Sequence, residues 1–209
     1  MKALLKAFAL LVLIVVALGF VGVFRIVSRG ISARGQPGRV ETVVARTLRH
    51  LAIPRAAREL KNPVARTPEV IAEGMAHYAD HCAGCHANNG SGDTEVGRGL
   101  YPKPPDMRLN ETQSLTDGEL FYIIENGVRF TGMPAWSTGN EEGTHGTWHL
   151  VHFIRELPRV TSEQIEQMKK MNPRSPDEIR EEQEQEKVPS SGSDTTKPRA
   201  TPHKHQHQR

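Results

Sequence analysis

Cys82 and Cys85 are the only cysteines of the 209-residue chain, and His86 follows the second directly. Whatever this chain folds into must present the three side chains together. Three chemistries use such a pair: a redox-active dithiol, half of a zinc site, or covalent attachment of haem through Cys-x-x-Cys-His. A stabilising disulfide is not among them, because so short a loop restricts the unfolded chain little. On a helix, positions i, i+3 and i+4 share a face, so Cys82, Cys85 and His86 would point the same way.

Two of the three chemistries find little context. A tetrahedral zinc site wants four ligands; no further cysteine exists, and His145, His149 and His152 stand far downstream. A thioredoxin-like dithiol belongs to a strand–helix–strand unit, and no run alternates strongly enough to be a strand. The residues are therefore expected to build an all-α fold.

The chain divides by charge. Residues 1–66 carry 12 Lys/Arg against 2 acids, and residues 67–158 carry 5 against 13. The overall pI of about 9.0 hides a basic neck on an acidic body, and charge steers partners region by region. After Lys2 and Lys6, the 18 residues Ala7–Phe24 hold no charge; as a helix they span about 27 Å, enough for the hydrocarbon core. Residues 1–24 are read as a transmembrane anchor or uncleaved signal. The rival is a signal peptide cut near Ala17-Leu18-Gly19, against which the apolar run continues through Phe20, Val21, Val23 and Phe24. Either reading sends the chain into the export pathway. The arginines beyond the run, Arg25, Arg29, Arg34 and Arg39, slightly favour a cytoplasmic body by the positive-inside rule alone.

Residues 25–66 read as a basic linker broken by Gly and Pro, with a short amphipathic helix around 41–51; the alternative is a polybasic segment held on anionic headgroups. Thr67-Pro68-Glu69 then predicts a helix start for a helix running through His86. Thr116 and Glu119 predict a capping box for a second helix stopped by Gly127. A third, from about Gly146, carries Trp148, Val151, Ile154 and Leu157 on one stripe and ends before Pro158. Within 159–209 a short helix over 162–171 is expected, followed by a polar tail too poor in apolar residues to fold.

A haem held by Cys82 and Cys85 would take His86 as one axial ligand and, unless the site stays open, a second one. Of the six methionines, Met75 lies on the helix of the cysteines, and Met168 and Met171 fall in the polar tail. Met133 in "TGMPAW" is preferred: Gly132 permits close approach to a macrocycle, and Pro134 and Trp136 stiffen the loop. Met107 is the runner-up.

Residues 67–158 resemble a class I c-type cytochrome, a small monohaem electron-transfer domain. Gly74 and Tyr78 stand eight and four positions before Cys82, as such domains place a glycine and an aromatic residue. "WHLVHFIREL" is similar to the family's closing helix, which crosses the first near that glycine, and "LTDGELFYIIENGVRFTGMPAW" to its distal methionine loop. The resemblance implies one covalent haem c bound at Cys82 and Cys85, an iron held by His86 and Met133, and a proline carbonyl (Pro102, Pro104 or Pro105) behind His86. It also implies one-electron carriage without catalysis, and haem attachment outside the cytoplasm, which outweighs the arginine count. Redox proteins are the expected partners, at least one with a basic docking face; no nucleic acid or small-molecule substrate is expected. The rivals are an open-site haem enzyme, a peroxidase or gas binder, and a cytochrome subunit of a larger dehydrogenase or oxidase complex.

Overall fold

The computed structural model describes residues 2–30, 32–174 and 180. Among them the chain is helical, without strands. The polar tail expected after residue 171 lies almost wholly outside the described residues.

Helix α1 (Lys2–Arg29) is apolar along its length and exposes Leu, Val and Phe on every side. Its 28 residues rise about 42 Å, long and apolar enough to cross a bilayer. The basic stretch that follows holds more structure than a linker: α2 (Arg39–Ala52) and α3 (Arg55–Arg58). Ile53 between them is 2% exposed, and Asn62 Nδ2 donates to Trp148 O at 2.9 Å.

The body is built around two crossing helices, α4 (Pro68–His77) and a later one, α9 (Glu141–Glu156). Thr67 caps α4, its hydroxyl accepting from Val70 N–H. The expected single helix through His86 is interrupted: Tyr78–Cys82 form a π turn, and only Ala83–His86 (α5) return to α geometry. The wider turn admits neighbours Tyr78 and Ala79, both wholly buried, and is pinned by Tyr78 Oη donating to Ala87 O and Asn172 Nδ2 to Ala79 O. Short helices α6 (Glu95–Gly99) and α7 (Asn110–Gln113) follow. Next comes α8 (Asp117–Asn126), whose Thr116/Glu119 capping box forms as the sequence predicts and whose end is turned by Gly127 at φ +66°.

Helix α9 (Glu141–Glu156) starts five residues earlier than its sequence suggests. Asn140 accepts from Gly143 N–H at 2.8 Å, and Glu141 and Glu142 favour the positive N-terminal end; together they offset two helix-weakening glycines. His145, which the sequence places just before this helix, is thus helical. The α4–α9 crossing is as close as backbone allows, for a Cβ on Gly74 would lie 2.3 Å from His149 O. The core gathers Tyr78 against Phe153 and Phe121 against Trp148, with Val151 and Ile154 along α9 and Leu157 just past its end. A 3₁₀ turn (Leu157–Arg159) leads to α10 (Ser162–Met171). Met168, placed in the polar tail by sequence, is fully buried there.

Candidate functional site

The two cysteines leave the π turn and enter α5 half-buried and unpaired by disulfide. Burial, with the neighbouring Cys85 charge adding to it, pushes the Cys82 thiol up to about 12. A thiolate is the species that binds zinc or exchanges disulfides, so this environment opposes both uses. A thioether carries no proton, and burial costs it nothing of this kind.

His86 is buried enough that its imidazole is pulled down to about 4. It stays neutral at physiological pH and keeps a lone pair for a metal. Its Nδ1 is buried without a hydrogen-bond partner, so the chain's own polar groups do not account for the ring's position. The expected proline carbonyl is not at Nδ1. The Pro104 carbonyl instead faces Gly92, where a Cβ would stand 2.5 Å away.

Behind the motif the backbone turns sharply. Ala87 takes φ +61°, a region that costs a non-glycine residue roughly 1–3 kcal/mol. It is held by Ala87 N–H donating to Ala83 O and by the Tyr78 hydroxyl on its own carbonyl, 2.8 and 2.9 Å. Burial raises the Tyr78 phenol well above its ordinary range, so it remains a donor. Gly92 N–H returns to His86 O at 2.8 Å. Helix α6 then closes on the motif: Thr94 Oγ1 donates to Cys85 O, and a Cβ on Gly97 would come within 2.7 Å of that carbonyl.

Met133 is half-buried on the loop after α8. Its amide donates to Thr131 Oγ1, and its carbonyl accepts from Val128 N–H. Gly127 lets the loop double back, a Cβ there lying 2.6 Å from Ala135 N. Gly132 lies on Leu100, with a Cβ placed 2.6 Å from Cδ2, and Leu100 ends the helix that packs on Cys85. Past exposed Pro134, Trp136 stacks on His81, ring centroids 5.4 Å apart. Two contacts therefore bring the loop to the cysteine turn. Met107, the other methionine considered, is 7% exposed and packed in the core. Sequence reasoning missed Leu100 and His81, whose part in this join depends on tertiary packing alone.

His149 and His152 lie at the core edge. His149 Nδ1 is 2.9 Å from Glu73 Oε2, and His152 Nε2 pairs with Val64 O at 2.9 Å. No group of three or more His, Cys, Asp or Glu among the described residues is arranged to hold a metal ion.

Residues 69–154, less than half of the chain, match the family described as "Cytochrome C oxidase, cbb3-type, subunit III". No match is found among curated proteins. Among solved structures, the reducing HAO-like protein complex of Kuenenia stuttgartiensis is similar, with a TM-score of 0.42 and 20% identity over 47% of this chain and 49% of that one. The chain thus spans about half the length of that relative. Residues 69–154 thus join a cysteine turn and a neutral histidine to a match with a cytochrome c family model.

Proposed function

We propose that this domain carries one haem c, joined covalently to Cys82 and Cys85, with His86 and Met133 as axial ligands, and that it passes single electrons between redox proteins. Haem iron supplies the one-electron couple, and a thioether ligand raises its potential relative to two imidazoles. The chain's own residues retain, orient and insulate that group. Burial keeps His86 neutral, Gly132 and Pro134 shape the loop that presents the Met133 sulfur, and the Tyr78 hydroxyl fixes the turn behind the histidine.

The observation that carries this reading is the join between the Met133 loop and the cysteine turn, through Gly132 on Leu100 and Trp136 on His81. Core burial of Met107 favours Met133 as the sulfur ligand. Were His86 and Met133 both to hold the iron, they would leave it no place for a substrate, which favours carriage over catalysis at an open site. Helix α1 supports a membrane tether, and covalent haem attachment, an event outside the cytoplasm, is what sets the side of the domain. The matched family's description, an oxidase subunit, favours work within a larger redox complex.

The test is the mature protein from its native host. Its mass should exceed that of the polypeptide by one haem, and the ferric form should show the methionine-to-iron band near the red edge of the visible. A mass without haem sinks the proposal; haem without the band sinks the ligand assignment.

A further inference from the structure

Helix α2 has two unlike sides. Val40, Val43, Val44, Leu48 and Leu51 recur at the spacing of one helical face, and all are exposed, from 49% at Val44 to 78% at Val40. No residue of the helix is buried. Its polar side is occupied: Tyr101 Oη donates to Glu41 Oε1 at 2.5 Å, Arg46 pairs with Glu111 at 2.6 Å, and His50 Nδ1 stands 3.1 Å from Glu119 Oε1. The helix is fastened to the cytochrome domain along one side and turns an apolar row away from its fastenings.

We propose that this row lies in the membrane–water interface, with the apolar side chains at the acyl boundary and the arginines among anionic headgroups. The helix would thereby hold the cytochrome domain in one orientation over the bilayer. The inference rests on the reading of α1 as a membrane anchor. From the end of α1 at Arg29 to the start of α2 at Arg39 the chain has nine residues, a reach of at most about 36 Å. The apolar face is therefore confined near the surface that α1 leaves. Arg25, Arg34 and Arg39 accompany it, the composition by which interfacial helices and polybasic segments bind anionic lipid.

The two other occupants fit less well. A second copy of the same face would bring the same arginines together. A protein partner would have to share the space with the headgroups to which α2 is tethered. The attachments at Tyr101, Glu111 and Glu119 would transmit the helix's orientation to the domain, since Tyr101 directly follows Leu100, the residue under the Met133 loop.

The test uses the full-length holoprotein, its haem verified by absorption, in vesicles of neutral lipid with or without a quarter of anionic lipid. Single spin labels are placed through Val44→Cys, Leu48→Cys and Arg49→Cys. In anionic vesicles, labels at 44 and 48 should be relaxed by oxygen and shielded from a water-soluble nickel chelate, at a depth of about 5–10 Å. The label at 49 should show the reverse, and removal of anionic lipid should weaken the shielding several-fold. Equal nickel access at all three positions overturns the proposal, as does spin–spin broadening that shows a second chain on the row. Shielding indifferent to lipid charge overturns the role given to the arginines. Flotation with the vesicles checks the anchor separately, and a chain that does not float overturns both readings.

Discussion

Trp136 lies nearly flat on His81, ring centroids 5.4 Å apart and planes 15° from parallel. Through this pair the loop that carries Met133 meets the residue just before Cys82. Aromatic pairs contribute about 0.5–1.5 kcal/mol beyond area burial. Trp136→Ala should therefore cost about 1 kcal/mol of global stability. Its larger effect should be local: the methionine band of the ferric holoprotein should fade at a lower temperature than in the parent, ahead of unfolding seen by circular dichroism. Loss of both signals at one temperature would mean that the stack does not specifically hold the loop.

The two candidate methionines make opposite demands. Met133 sits half-buried on a loop, whereas Met107 is 7% exposed within the core. Met107→Ala should cost about 2–5 kcal/mol through the cavity it leaves and retain the ferric methionine band. Met133→Ala should cost less, abolish the band and lower the reduction potential. Denaturant titration and redox titration of the two variants separate a packing residue from a ligand.

Much of this was legible in the sequence where the cause is local. Thr67, the Thr116/Glu119 pair and the stripe of Trp148, Val151, Ile154 and Leu157 declare their helices through caps and spacing. What was not legible depends on partners distant in sequence. Gly146 reads as the start of a helix, yet it lies inside one, and a Cβ there would lie 3.1 Å from His77 Cε1, so its small size serves helix packing. The π turn at Tyr78–Cys82 answers to Ala87 and Asn172, which no short window contains. Cys82, Cys85 and His86 stand out by spacing, whereas the seat of Gly132, beside Met133, on Leu100 arises only on folding.

The α4–α9 crossing is sensitive to a single methyl group. A Cβ on Gly74 would stand 2.3 Å from His149 O and 3.0 Å from Phe153 Cβ, and the carbonyl belongs to a helix that cannot move aside alone. Gly74→Ala should destabilise by about 1–3 kcal/mol or more, as overpacked cores do. Gly84→Ala, which meets nothing within 4 Å, is the control and should leave the denaturation midpoint close to the parent's. Equal midpoints for the two variants would show that the helices can separate without cost.

The acidic body should impose a salt dependence on electron exchange. Residues 67–158 carry 13 acids against 5 Lys/Arg, and at about 0.15 M salt the screening length is only about 8 Å. The second-order rate with a basic redox protein should fall as ionic strength rises, because steering acts mainly on association. Stopped-flow exchange over a salt series measures it. A rate independent of salt would remove the basic docking face from the account.

His149 gives the fold an acid-sensitive point. Burial lowers its imidazole below the ordinary 6.5; Glu73 opposes this, and His145, His77 and His152 add to it. A histidine whose folded value is depressed binds fewer protons folded than unfolded, so stability rises with pH through its range. Its contribution is complete above 6.5 and is lost as pH falls toward the folded value. Glu73→Gln removes the opposing charge, so the folded value should drop further and the acid loss deepen. His149→Gln should flatten the melting temperature between neutral and mildly acid pH relative to the parent. Nuclear magnetic resonance titration of the imidazole, with melting temperatures over the same range, checks both. If the parent gained stability on acidification and His149→Gln abolished that gain, the ion pair with Glu73 would outweigh burial at this site.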